Sequence, residues 1–435
     1  MVEPLTARRL EAALATAQVS GKLPSVAAGV VRDGELVWAA GDSDRQYRIG
    51  SITKTMTTVL VMQLRDEGRL ALNDPVEKHL PGIVYGDRSI RSLLSHSGGL
   101  PSEPEGPWWE RSAGGSFEEL AAAMDPTKTP FEPGATFHYT NLAFGLLGEV
   151  VARLRGGSWW DCVDERILGP LGMTRTSYDA VGDHAQGYSV HPYANTLTKE
   201  PHHDTGAMAP AGQAWSTVGD LARYAAFLVA GHESVLRLAT IDEMATPQSG
   251  TLADGLDRAY GLGLRLLAND GRLFVGHTGS MPGFQASLFA DRPRRAAAVV
   301  LANSTTGLQA DGITPLLLGV LEDSEPTVPG PWAPATQVPP EVMEILGPWH
   351  WGNTGFVFSW NGSEVVASAL RTGEDREAFR PAAEGTFLGT SGYHHGETLR
   401  VVRNMDGSIN HLEVATFVFT RAPYDPEAPI PGGVP

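Results

Sequence analysis

Ser51-Ile52-Thr53-Lys54 opens a segment, Ser51–Glu67, in which Ile52, Met56, Val59, Leu60 and Leu64 recur at helical spacing and Gly68 supplies a C-cap. The spacing predicts a helix that starts at the serine. Ser51 and Lys54, three residues apart, then share one side of its first turn. A hydroxyl is a poor nucleophile until a base takes its proton, and a lysine within hydrogen-bond reach does so once burial lowers its pKa. The positive end of the helix favours negative charge developing beside Ser51. The same four residues also read more simply, as an N-cap serine followed by a solvated lysine.

Two further stretches weigh on that choice. Tyr139-Thr140-Asn141 follows the turn residues Pro133 and Gly134 and precedes a second helical stripe, Leu142, Leu146, Leu147, Val150 and Leu154, which ends at Gly156-Gly157. Asn141 reads as the N-cap of that helix, and Tyr139 as an aromatic packed on a loop. In the chemical reading, a neighbouring ammonium depresses the Tyr139 phenol so that it shuttles a proton, and Asn141 offers its amide to a substrate. His277-Thr278-Gly279 ends a short strand, Arg272–Gly276, and another strand, Gln285–Ala290, follows the turn-prone Ser280-Met281-Pro282-Gly283. A strand-end glycine lets the backbone approach a ligand closely. The plainer alternative is a turn with an incidental histidine.

S-x-x-K, then Y-x-N, then H-T-G, in that order, resembles the serine β-lactamase and penicillin-binding-protein superfamily, and within it the branch of class C β-lactamases, D-alanyl-D-alanine peptidases and esterases. Leu93–Leu100 (LLSHSGGL), Leu168–Met173 (LGPLGM), Ser216–Ala222 (STVGDLA) and Tyr260–Gly263 (YGLG) match that branch too. The likeness covers roughly residues 20–320. It implies that Ser51 is the acylated nucleophile, that Lys54 and Tyr139 are its proton-relay pair, and that Asn141 positions a substrate amide. His277, Thr278 and Gly279 would line an edge strand beside the substrate. The oxyanion hole would use the Ser51 N–H and a second N–H between Met281 and Gln285.

Composition narrows the class. With 435 residues the chain is long enough for two cores, and 42% hydrophobic against 19% charged residues marks it as globular. A net charge of −17 argues against nucleic acid and anionic membrane surfaces as partners. No run of about 18 apolar residues is present to span a bilayer. The N-terminus reads as an amphipathic helix start without a signal peptide, so a cytoplasmic location is expected. Cys162 is the only cysteine, which rules out an internal disulfide, and it reads as a small core residue in a helical stretch, Ser158–Leu168. His202-His203-Asp204 lacks a third ligand at useful spacing, so neither metal nor cofactor is expected. Trp108-Trp109 and Trp159-Trp160 read as packing or cleft wall.

The fold class expected is α/β (α+β). Residues 26–41 read as a hairpin around Arg32-Asp33-Gly34, residues 51–230 are mainly helical, and strands return at Gly261–Leu267, Arg272–Gly276, Gln285–Ala290 and Ala296–Asn303. This suits one antiparallel sheet flanked by helices, with a helical subdomain, over residues 1–322. A proline-rich linker, 323–340, follows. Residues 341–425 then carry short strands at Phe356–Trp360, Glu364–Ala369, Arg376–Pro381, Thr386–Gly389, Thr398–Arg403 and His411–Phe419, the pattern of a small barrel. Gly347-Pro348-Trp349 resembles the G-x-W of lipocalin-like barrels. Residues 426–435, and the proline-bearing stretch from Pro423, read as an extended tail.

The superfamily members share acylation of the serine and differ in donor and acceptor. Class C β-lactamases carry a lysine, a permanent cation suited to a substrate carboxylate, where this chain has His277, which is largely neutral at pH 7. That departure favours esters, thioesters or peptides without the carboxylate. The domain pair looks like the penicillin-binding-protein-type thioesterases, stand-alone cyclases that take a nonribosomal peptidyl thioester onto the serine and release it as a macrolactam. The resemblance implies a small or peptidyl thioester substrate, delivered by a carrier protein in some cases, a capping barrel that excludes water, and Arg421 reaching the cleft. Arg421 also reads as a surface arginine. The alternative activity is a cytoplasmic serine hydrolase: an esterase, D-stereospecific peptidase or amidase.

Overall fold

The computed structural model describes residues 1–250, 258–383 and 385–423. The chain divides into two compact units, Met1–Val328 and Pro329–Pro435. The first is built on a seven-stranded sheet in the order Glu35–Ala40, Val26–Arg32, Ala296–Ala302, Phe284–Asp291, Arg272–Met281, Arg265–Asn269, Arg258–Tyr260. Every neighbouring pair is antiparallel.

Its central strands are apolar throughout because both faces are covered. In Val26–Arg32, Ala27 and Val31 join a core with Ile52, Met56 and Leu60 of the serine-bearing helix. Ala28 and Val30 point the other way, into a second core with Leu10 and Leu14 of the helix Pro4–Gly21 and Leu317 and Leu321 of the helix Ala310–Ser324. Ala296–Ala302 repeats this division, with 297, 299 and 301 in the first core and 298, 300 and 302 in the second. The two-residue period of a strand is therefore visible in burial although the sequence AAAVVLA hides it.

The helix expected over Ser51–Glu67 is a 3-10 turn, Gly50–Ile52, continuing into Thr53–Asp66. Every residue from Thr53 to Leu64 is buried, not one stripe only. Its polar side chains donate internally: Thr55 to the Ile52 carbonyl, Thr57 to that of Pro210, Thr58 to that of Lys54 and Gln63 to that of Val235. Gly68 takes the expected left-handed turn at φ 72°.

Three boundaries differ from expectation. His277-Thr278-Gly279 does not end a strand. The strand runs from Arg272 to Met281, and each motif residue pairs with the strand Phe284–Asp291. Gly261–Leu267 is not one strand but a loop feeding Arg265–Asn269. A methyl on Gly261 would stand 2.0 Å from the Met244 carbonyl oxygen, and Gly263, at φ 65°, donates its N–H to the Leu94 carbonyl. His411–Phe419 is a hairpin, Ile409–Val414 and Phe417–Phe419, turning at Ala415 with φ 50°.

In the second unit eight strands follow one another from Gly347–Trp351 to Phe417–Phe419 in simple sequential order. His350 and Thr420 exchange backbone hydrogen bonds of 2.7 and 2.9 Å, drawing the ends together into a nearly closed antiparallel barrel. This fits a lipocalin-like all-β domain. Trp349, Phe358, Phe379, Phe387, Leu399 and Phe419 fill its core. A short helix the sequence did not announce, Pro340–Ile345, adds Val342 and Ile345, and the Trp349 indole donates to the Ile345 carbonyl at 2.7 Å. The tail expected beyond Pro423 lies outside the described residues.

Candidate active site

Ser51 is set by two glycines on different elements. Gly50 has φ 52°, and a methyl there would stand 2.5 Å from the Ser280 nitrogen; a methyl on Gly279 would stand 1.9 Å from the Ile49 carbonyl oxygen. The third-motif strand and the start of the serine helix thus dock backbone to backbone, a contact only glycine permits. Ser51 and Ser280 both line a cleft of about 430 Å³, together with Tyr139, Tyr260, His277 and Thr278. The sequence had left the second oxyanion donor between Met281 and Gln285. Met281 turns into the core, and the residue that meets Gly50 and lines the cleft with Ser51 is Ser280, one position earlier.

Lys54 lies directly behind Ser51. Its Nζ stands 2.9 Å from Ser51 Oγ and 2.7 Å from the Ala211 carbonyl oxygen. The rings of Tyr139 and Phe144 flank it, centroids 5.1 and 5.6 Å away. Loss of water drives its pKa down to about 7, with the Glu103 and Glu110 carboxylates acting in the opposite direction. The solvated-lysine reading is therefore excluded. One N–H of the free amine donates to Ala211, which leaves the lone pair for the Ser51 proton.

Tyr139 behaves otherwise than expected. Burial pushes its phenol well above the ordinary value, against the Ser51 hydroxyl, which lowers it as a hydrogen-bonding neighbour, and the Arg265 charge. No depression by the Lys54 ammonium appears. Tyr139 stays protonated at neutral pH and can pass a proton as a hydroxyl, whereas Lys54 is the member of the pair tuned toward neutrality.

Asn141 takes the expected N-cap position of the helix Leu142–Arg155, but its side chain makes no cap bond. Its Nδ2 donates to Glu103 Oε1 at 2.8 Å. His277 is buried and neutral: desolvation, then the Arg265 and Lys54 charges, hold its pKa well below the usual value. Nδ1 meets the Thr278 carbonyl and so carries the hydrogen, and Nε2 accepts from the Tyr260 hydroxyl at 2.9 Å. Thr278 Oγ1 accepts from Arg265 Nη1 at 2.7 Å, and Arg265 pairs with Asp311 at 2.7 Å. The cleft wall therefore does hold a permanent cation, although His277 is not it.

Arg421 is engaged within the second unit. Its guanidinium donates to the carbonyls of Glu344, Leu346 and Pro348 and stacks 3.9 Å from the centre of the Trp349 ring. Cys162 is buried, and burial raises its thiol pKa. Trp159 donates to Thr57 Oγ1 and Trp109 to Glu103. Among the described residues no group of three or more His, Cys, Asp or Glu side chains could hold a metal.

The sequence had not singled out His96, Tyr260, Arg265 or Glu103. The first two lay inside the matched phrases LLSHSGGL and YGLG. His96, at φ 54°, accepts the Thr140 N–H on Nδ1 at 3.1 Å, and its ring lies 4.2 Å from that of Tyr139. It steadies the loop carrying the second motif. No local signal marks Arg265 or Glu103.

A family model described as Beta-lactamase matches residues 7–320. The chain belongs to the β-lactamase family. Residues 338–421 match a second model, a domain of unknown function (DUF7586). "Beta-lactamase-like protein 2" of Dictyostelium discoideum is 28% identical over 348 residues, covering 74% of this chain and 62% of that protein. The chain spans 60–62% of the length of the curated relatives it matches. Among solved structures, the octameric penicillin-binding protein homologue from Pyrococcus abyssi superposes with a TM-score of 0.66 at 24% identity, over 95% of this chain and 99% of that one. A D-stereospecific amidohydrolase from Streptomyces sp. does so with a TM-score of 0.62 at 28% identity, over 73% of this chain and 98% of that one. No helix among the described residues of this β-lactamase-family chain is long and apolar enough to cross a membrane.

Proposed function

We propose that this protein transfers the acyl group of a D-configured aminoacyl or peptidyl donor through a Ser51 acyl-enzyme, and that its reaction is release of a nonribosomal peptidyl thioester by intramolecular aminolysis. The carrying observation is the contact of Lys54 Nζ with Ser51 Oγ at 2.9 Å, with the lysine pKa drawn down to about 7. Free Lys54 amine takes the Ser51 proton as Oγ attacks the donor carbonyl. The Ser51 and Ser280 N–H groups receive the oxyanion. The carbon–sulfur bond then breaks, and the thiol leaves with a proton relayed from the Lys54 ammonium through the Tyr139 hydroxyl. The amine of the peptide's own first residue attacks the ester and gives its proton to Lys54, which returns it to Ser51 Oγ as that oxygen is expelled and the macrolactam forms.

The neutral His277, the barrel after the catalytic unit and the resemblance to penicillin-binding-protein-type thioesterases support this reading. In it the donor is a small or carrier-delivered thioester met in the cytoplasm. A second reading, hydrolysis of D-aminoacyl amides, esters or peptides, is favoured by the 28% identity to the D-stereospecific amidohydrolase. A synthetic peptidyl thioester with a C-terminal D-residue and a free N-terminal amine separates the two by mass spectrometry. A product one water lighter than the free acid is cyclisation, and linear acid alone is hydrolysis. Full turnover by Ser51→Ala would sink both.

A further inference from the structure

Trp159 and Trp160, read in the sequence as packing or cleft wall, line a second cavity of about 460 Å³ that shares no lining residue with the Ser51 cleft. Phe117, Tyr178 and Pro210 extend its apolar walls, and small residues fill the gaps between them. Among the described residues that line it, Glu149 carries the only charged side chain. The rings meet at steep angles. Trp159 and Trp160 have centroids 5.7 Å apart and planes 57° apart, and Trp160 and Tyr178 are at 5.6 Å and 74°. Three aromatic side chains therefore turn a corner instead of stacking flat.

The walls are held in place. Trp159 Nε1 donates to Thr57 Oγ1 at 3.1 Å, and Thr57 donates in turn to the Pro210 carbonyl at 2.9 Å. Pro210 packs on the helix Leu142–Arg155 at Gly148, where a methyl would stand 2.1 Å from its Cγ. The Tyr178 hydroxyl donates to Asp204 Oδ1, and burial, then that carboxylate, keep it protonated. Glu149 Oε1 accepts from Arg153 Nε at 2.7 Å, and its other oxygen takes no hydrogen bond from the described residues. The Arg153 guanidinium stands 5.6 Å from the centre of the Phe117 ring, so one wall already carries a cation on its aromatic face.

The face of an aromatic ring is negative and attracts a cation, most strongly one that gives up its water easily. A quaternary ammonium spreads its charge over methyl groups, which suit apolar walls, and it has no N–H that the rings would leave unpaired. The Glu149 carboxylate and the net charge of −17 draw such a cation in and repel an anion. We propose that this cavity is a binding site for a small quaternary-ammonium molecule, separate from the site of acyl transfer.

Choline and 3,3-dimethylbutan-1-ol test it, because one has a cationic nitrogen where the other has a carbon and their shapes are nearly the same. Their methyl proton resonances are followed by NMR while each is titrated against the full chain. The choline N-methyl signal should move upfield under the ring currents and saturate, and the neutral alcohol should bind at least about tenfold more weakly. Trp160→Leu, at a half-buried wall position, should weaken choline binding by a similar factor. Glu149→Gln leaves the rings untouched and should weaken it at least about threefold, which keeps the test open if Trp160→Leu does not fold. Protein whose Ser51 has been blocked with a fluorophosphonate should bind choline as before. The proposal is overturned if choline gives no saturable shift, if the two probes bind alike, if Glu149→Gln binds choline as tightly as the native protein, or if blocking Ser51 abolishes binding, which would place the cation in the catalytic cleft.

Discussion

The chemistry turns on Lys54 being half free at neutral pH, and this has a measurable consequence. A fluorophosphonate makes few demands on substrate recognition, so its rate of reaction with Ser51 should follow the fraction of Lys54 present as amine. With a pKa of about 7, the rate is level above pH 8 and falls about tenfold per unit below pH 7. A solvated lysine would instead leave the rate climbing tenfold per unit through pH 9. Pseudo-first-order labelling followed by intact-protein mass between pH 5 and 9 reads this directly. A profile flat to pH 5, or still rising at pH 9, refutes the assignment of Lys54 as the tuned base. Stability should carry the same signature. The folded pKa lies below the unfolded one, so between about pH 7 and 10.4 the unfolded chain binds the extra proton and stability rises with pH. The fall of its pKa from the ordinary 10.5 to about 7, at about 1.36 kcal/mol for each tenfold change in proton affinity, bounds the cost of the charged lysine near 5 kcal/mol below pH 7. Lys54→Met removes that cost and loses the bonds to Ser51 and Ala211, each worth about 1 kcal/mol. It should be more stable than the native protein at pH 6, by about 2–3 kcal/mol in denaturant titrations, and should lose that advantage by pH 10.5.

Gly279→Ala places a methyl 1.9 Å from the Ile49 carbonyl oxygen, backbone against backbone with nothing free to yield. Ser51 labelling should drop at least about a hundredfold and stability by about 2–3 kcal/mol. Tyr139→Phe should slow acylation by about 10²–10³-fold. The midpoint of its pH profile should stay in place, because the phenol is held protonated; a midpoint displaced by a full unit would show that Tyr139 titrates with Lys54. Arg421→Ala removes three carbonyl contacts and the stack on Trp349. Thermal unfolding of the C-terminal unit should report a loss of about 2–4 kcal/mol. Cyclisation kinetics unaltered in that variant would confine Arg421 to the barrel.

Much of the architecture was readable because it is written in short-range patterns. The serine helix, the helix after Asn141, the 26–41 hairpin and most barrel strands follow from periodicity and turn residues separated by a handful of positions. The misses share a cause. The third-motif strand continues through Gly279 to Met281 because glycine there serves a backbone contact with Ile49, 230 residues earlier in the chain. The loop at Gly261–Gly263 arises from contacts with Met244 and Leu94. The helix Pro340–Ile345 persists because a barrel core receives it. Each is a tertiary override of a local preference.

By itself the sequence determined the chemical inventory and its order: a serine and a lysine one helical turn apart, a tyrosine and an asparagine at a helix entrance, and a histidine, threonine and glycine on a strand. These are consequences of backbone period, which neighbouring residues settle among themselves. Only the tertiary structure decided what those groups are. Burial between the Tyr139 and Phe144 rings makes Lys54 a base near neutrality, and the same burial keeps Tyr139 an acid. A carboxylate 38 residues away, on Glu103, takes the NH₂ end of the Asn141 amide. Solvation and hydrogen-bond partners belong to the packed molecule, so the ionisation and polarity of a residue cannot be assigned before the fold that surrounds it.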